Sequence, residues 1–195
     1  MGILSNVAAR AWGAVSKILS LFGRLADAKR RKIDADEQRI VYLAKKQGRD
    51  PEEFVDYKAA RKEKEKINKL EELSKNIPSG YDPNYYFKLL IGVLATEGRT
   101  ADSFQLNEIY TFKYIAKSGE WFDMNPVILV TSASGSYFEG INFHWKDLAA
   151  SKYVQSPFRK YRFDRMQSKL YRIEPSELNY VLRIPTFYPI KVGRS

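Results

Sequence analysis

The chain has 195 residues, room for one ordinary domain with an appendage or for two small ones. It holds 33 Lys plus Arg against 23 Asp plus Glu, a surplus that favours an anionic partner such as nucleic acid, acidic lipid or an acidic protein face. With no cysteine and one histidine, a disulfide framework and a thiolate, zinc or haem site are excluded. Composition leaves carboxylate-held magnesium or calcium open. Yet no stretch resembles a Ca²⁺ loop, a phosphate-cradling Gly-rich loop or a Gly-flanked nucleophilic serine, so no metal, cofactor or catalytic residue is assigned.

Charge is unevenly spread. Residues 1–32 carry seven basic groups and one acid, 33–76 carry eleven of each, and 77–195 carry fifteen and eleven. Within the last part, 152–172 holds seven basic groups and one acid. The N-terminus lacks a basic n-region, and its apolar stretch is interrupted by Arg10, Lys17 and Arg24, unlike a secretory signal. No uncharged run approaches the roughly 18–20 residues of a membrane span. The expectation is a protein made and used without crossing a membrane.

In chain order, Leu4, Ala8, Ala11, Val15, Ile18, Phe22 and Leu25 alternate by four and three, one face of a helix. Val7, Ala14, Leu21 and Ala28 widen that face, and Arg10, Lys17, Arg24 and Arg31 form a basic edge. Three readings stay open: packing on its own domain or a partner, lying on an anionic membrane surface, or self-association. For partner docking, Leu4, Val15, Ile18, Phe22 and Leu25 are the anchors. From residue 33, "DADEQRIVYLAKKQG" reads as a second helix with acids in its first turn and Gly48 at its C-cap. "DPEEF" reopens a helix at Asp50 and Pro51. The middle, "KAARKEKEK", has no apolar period, so an exposed, projecting helix or hairpin is expected.

"NIPSGYDP" marks a turn cluster, and "NYYFKLLIGVLATEG" reads as a short buried helix with a strand as the alternative. Beyond residue 104, "NEIYTFKYIAK", "PVILVTS" and "YFEGINF" read as strands, with "SASGS" as a turn and Gly140 as a bulge or close backbone contact. "DLAASKYVQSPFRKYRFDRMQSKLYRI" reads as helical and irregular cover, and "NYVLRIP" as a final strand. His144 lies at the strand's end between Phe143 and Trp145, with Glu139 on the opposite face at period two. A structural histidine bonded to nearby backbone fits this better than a general base.

The stretch 152–172 interleaves Lys152, Arg159, Lys160, Arg162, Arg165, Lys169 and Arg172 with Tyr153, Phe158, Tyr161, Phe163 and Tyr171. Cations on phosphates with aromatic stacking hold single strands without sequence readout, and the same cations can neutralise duplex phosphates. The alternative turns the rings inward and sets the arginines in water or on an acidic neighbour. The nucleic-acid-binding candidates are Lys152, Arg159, Lys160, Arg162, Arg165 and Lys169.

"IYTFKYIAKSGEWFDMNPVILVTS", "YFEGINFHW" and "YVLRIPTFYPI" together resemble a set of small virion-associated structural proteins of tailed bacteriophages. The match covers roughly 109–190, and Gly140-Ile141-Asn142-Phe143-His144-Trp145 is its most specific run. The resemblance implies a virion location; some members are described as DNA-end-protection or tail proteins, and no catalytic residues carry over.

The expected fold is α+β, a helical N-terminal half with an extended amphipathic helix followed by a small curled β-sheet or SH3-like barrel domain. Its divisions are 1–32, a basic docking helix; 33–80, charged projecting helices; and 81–195, the α+β domain. The expected function is a non-enzymatic structural component of the virion, in the head–tail connector, tail or baseplate, bridging neighbouring subunits in a multi-copy assembly built in the host cytoplasm. The alternatives are a DNA-contacting protein at the packaged genome's end or exit path, and a small-barrel ribonuclease-like enzyme. Partners are other virion proteins, with DNA, and an anionic membrane surface reached through 1–32, as further candidates.

Overall fold

The helix α1 (Gly2–Gln47) runs unbroken for 46 residues, about 70 Å at 1.5 Å per residue. The computed structural model describes residues 2–75, 77–116, 121–148 and 156–191, with side chains over 10–75, 77–116, 121–145 and 156–190. No break occurs near residue 32, where the sequence suggests the start of a second helix, because 24–47 contains neither Gly nor Pro. Val15, Leu19, Ala26, Ile33, Ile40 and Ala44 form one buried stripe across that point. Asp34 and Glu37, read as first-turn acids, instead hold Lys64 of the next helix at 3.0 and 2.6 Å.

Gly48, at φ +63°, ends α1, and the Arg49 N–H reaches back to the Ala44 carbonyl at 3.0 Å. Asp50 accepts the Glu52 N–H at 2.9 Å over a short 3₁₀ turn, Pro51–Glu53, before α2 (Val55–Leu73) begins. The expected projecting hairpin does not project: α2 packs on α1 and on α3 (Pro83–Thr96), burying Ile67 and Leu70 with Leu90 and Leu94. Asp82 caps α3 at the Asn84 N–H, and the helix gives way to Gly98 at φ +67°.

The sheet is formed by β1 (Thr100–Ala101), β2 (Ile109–Thr111), β4 (Val127–Ser134), β5 (Tyr137–Asn142), β6 (Phe158–Arg162) and β7 (Leu170–Ile173). Its order is β1-β7-β2-β4-β5-β6, antiparallel throughout; β3 (Trp121–Asp123) and β8 (Pro189–Lys191) pair separately. Its centre is buried on both faces, which is why β2 and the first half of β4 read as apolar runs. Ile109, Val127, Ile141 and Ile173 meet the helices in one core. Tyr110, Phe112, Ile128, Val130, Phe138, Tyr161 and Leu170 fill a second core on the other face. That second core joins β6 to β7, four positions apart in the sheet, so the sheet curls while β1 and β6 remain its edges.

The β4–β5 hairpin turns on Gly135 at φ +58°. Its register shifts between Val130 and Ser132, opposite Gly140, where an added Cβ would lie 2.5 Å from the Leu129 carbonyl oxygen. Glycine is therefore required there. Two stretches differ from expectation. The supposed helical cover supplies β6 and β7, since Phe158–Arg162 finds a complete partner in β5. "NYVLRIP" forms the short helix α4 (Leu178–Val181) and a turn, because Leu178, Val181 and Ile184, three apart, all enter the helical core. The closing strand is β8.

Candidate nucleic-acid interface

Among the described residues one side of β6 is unpaired in the sheet, and it faces β3 and Trp145 across a groove of about 640 Å³. Arg159, Lys160, Arg162 and Arg165 line it together with Tyr114, Trp121, Phe122, Trp145, Phe158 and Tyr161. Strand alternation divides the rings. Tyr161 is buried beneath Phe138 and Tyr114, whereas Phe158 is 51 % exposed at the rim and Trp121, across the groove, 37 %. The rings of the basic stretch thus divide between the core and the surface.

The four cations differ in what they already hold. Arg162 grips Asp164 through two bonds of 3.0 and 3.2 Å, Arg165 lies 3.6 Å from the same carboxylate, and Lys160 lies 3.7 Å from Glu139. These pairs are largely solvated and therefore weak. The bond from Arg162 holds the Asp164 carboxyl below its ordinary range. Arg159 has no carboxylate partner among the described residues. Its guanidinium lies 5.0 Å from the centre of the buried Trp145 ring, and its Nε is buried with no hydrogen-bond partner among the described residues. A buried donor left in this way is costly unless a ligand meets it.

Of the other basic residues of 152–172, two are described and lie away from the groove. Lys169 is exposed at the start of β7 and does not line the groove, while Arg172 pairs with Glu108 at 3.2 Å. Lys152 falls outside the described residues.

Beside the groove, His144 is 9 % exposed in the 3₁₀ turn after β5, Phe143–Leu148. Its bond goes to a side chain distant in sequence, not to nearby backbone: Nδ1 lies 2.7 Å from Asp123 Oδ2. Asp123 also accepts from the Asn142 amide at 3.3 Å and from the Asn125 and Tyr188 N–H groups at 3.1 and 3.2 Å. With four donors on Asp123, Nδ1 carries the proton, and Nε2 faces the fully buried Thr186 hydroxyl at 3.4 Å. The Asn142 amide reaches the Tyr161 hydroxyl at 3.0 Å, where burial pushes the phenol far above its usual range. This network joins β3, β5, β6 and the C-terminal segment. Only the Asp in "EWFDMNP" signals it in sequence.

A second polar cluster ties the helices to the sheet. Lys66 and Glu177, both almost fully buried, pair at 2.7 Å; Lys66 also holds Glu63 at 2.7 Å. Lys29 of α1 reaches both Glu63 and Glu174 at 2.5 Å, and Arg99 reaches Glu174 at 2.8 Å. Among the described residues, Glu63, Glu174 and Glu177 are the one carboxylate group close enough to hold a metal ion. Three side-chain cations already balance those three carboxylates.

The docking candidates on α1 are mostly occupied by this chain itself. Val15 is fully buried, and Ile18 and Phe22 pack against the helical core. The face that meets the domain is turned one position from the expected stripe, centring on Val15, Leu19 and Ala26. Leu25 stays 43 % exposed, beside Leu21 at 48 %. The side chain of Leu4 lies outside those described. Comparison with protein-family models, with curated proteins and with solved structures gives no match.

Proposed function

We propose that this protein is a non-enzymatic, nucleic-acid-contacting component of a tailed-phage virion, the setting implied by the resemblance over 109–190. One observation carries the contact: Arg159, Lys160, Arg162 and Arg165 line a single groove with half-exposed aromatic rings, and Arg159 carries no carboxylate among the described residues. Cationic side chains there displace counterions from phosphates, so binding falls steeply with salt. The test is fluorescence anisotropy with labelled DNA across a salt series. Replacing Arg159, Lys160 and Arg162 by Gln is expected to flatten the log–log salt slope by about 2–3. Unchanged affinity and slope in that variant would overturn the reading.

A subunit-bridging role has its own support in the outer face of α1, where Ala14, Leu21, Leu25 and Ala28 are exposed beside Arg10, Lys17, Arg24 and Arg31. Deleting 1–32 is not a clean test, because it also removes Val15, Leu19 and Ala26 from the core. Leu21→Glu with Leu25→Glu tests the face alone. A ribonuclease-like reading has least behind it, since His144 is buried with both ring nitrogens engaged.

A further inference from the structure

We infer that the groove takes an unpaired strand: single-stranded nucleic acid, its bases against Trp121 and Phe158 and a phosphate on Arg159. This rests on the nucleic-acid reading above and narrows it.

The rings argue for exposed bases. Trp121 is 37 % and Phe158 51 % exposed, and both line a groove that also holds four cations and, as its one acid, the buried Asp123. A duplex keeps its base faces stacked inside and would set its charged backbone against these apolar surfaces. A single strand offers π-faces, and stacking on aromatic side chains is sequence-tolerant. The size agrees. A recess of about 640 Å³ matches sites that enclose small molecules, enough for about one or two nucleotides.

Arg159 adds the anchor. Its guanidinium lies over the Trp145 ring and holds no carboxylate among the described residues, so it is the groove cation left to take a phosphate. Lys160, Arg162 and Arg165, held near Glu139 and Asp164, supply attraction at the mouth.

An acidic peptide added as a strand along β6 is the competing occupant. The edge is poorly suited to it. The outward Arg162 N–H is taken by the Tyr114 hydroxyl at 3.3 Å, and the Ile115 N–H reaches the Arg165 carbonyl at 3.1 Å. The segment around 114–115 therefore covers the end of that edge.

The experiment compares four probes on the full chain by anisotropy, at about 50 mM and about 200 mM salt. They are a short oligothymidylate, an abasic deoxyribose-phosphate strand of equal length, a duplex, and a poly-glutamate peptide. Oligothymidylate is expected to bind at least about tenfold more tightly than the abasic strand or the duplex, with quenching of tryptophan fluorescence. Phe158→Ala and Trp121→Ala are each expected to narrow that preference by about tenfold, with circular dichroism confirming that each variant folds. Equal binding of the three nucleic acids would overturn the single-strand assignment and leave the nucleic-acid reading standing. Failure of all three at the lower salt, or binding of the peptide alone, would overturn that reading too.

Discussion

Replacing Lys66 by Met tests how the helical layer is held to the sheet. Lys66 and Glu177 side chains are each 1 % exposed and lie 2.7 Å apart, so the substitution leaves a carboxylate in the interior without its ammonium partner. Removing one member of a buried pair costs about 3–5 kcal/mol. Glu177 keeps Arg99 at 3.5 Å and the Glu174 N–H at 3.0 Å, which places the loss at the low end, about 3 kcal/mol. For a chain of this size that lowers Tm by about 6–12 °C. Thermal and guanidinium unfolding followed by circular dichroism measure it. Adding Glu177→Leu is expected to restore at least half of the loss, because a buried pair replaced by apolar groups is often neutral. A loss below about 1 kcal/mol for Lys66→Met alone would refute the reasoning, since it would mean that water reaches the pair.

The same cluster sets an acid dependence. Burial alone would raise the carboxyl pKa of Glu63, but the bonds from Lys29 and Lys66 outweigh it and hold the group below its ordinary 4.5; Glu174 is lowered likewise, chiefly by Lys29 against burial. A depressed folded-state carboxyl stabilises above the unfolded value, and that contribution disappears as pH falls through the folded one. Stability is therefore expected to drop below about pH 4.5, and less steeply in Lys66→Met; equal acid profiles would count against the cluster. Gly140→Ala, with its Cβ 2.5 Å from the Leu129 oxygen, is expected to destabilise by about 1–3 kcal/mol in guanidinium unfolding. His144→Ala takes one of four donors from buried Asp123 and is expected to cost about 1–3 kcal/mol without changing DNA affinity. Lost binding in a folded His144→Ala protein would give the histidine a part in the groove. Leu21→Glu with Leu25→Glu is expected to change stability by less than about 0.5 kcal/mol yet to lower incorporation into particles; full incorporation would remove α1's outer face from assembly.

Local signals were legible wherever chain chemistry alone decides the conformation. Gly48 and Asp50 with Pro51 mark helix ends that form through bonds to immediate neighbours. The hairpin at Gly135 and the close approach at Gly140 were readable for the same reason. β6 was not. Phe158–Arg162 has few strand-forming residues buried on either side, and β5 supplies the partner that makes it extended. α1 shows a subtler limit. Its apolar residues span both Val15–Leu19–Ala26 and Leu21–Leu25–Ala28, and periodicity cannot say which stripe the domain will cover.

The candidate site divides along the same line. That cations and rings alternate through 158–165 is written in the sequence, and so is the absence of cysteine-based chemistry. Tertiary structure decided which of them face one groove. It turned Tyr161 inward and left Phe158 outside. Trp121 and Trp145 came from distant segments to complete the walls, and Lys169 and Arg172 were carried to other surfaces. The His144–Asp123 bond spans 21 residues and the Lys29–Glu174 pair 145, separations over which no local pattern reports. Capping, turns and amphipathicity act within a few residues and so can be read along the chain. A groove or a buried ion pair forms between segments that meet only after the sheet has curled and the helices have closed over it.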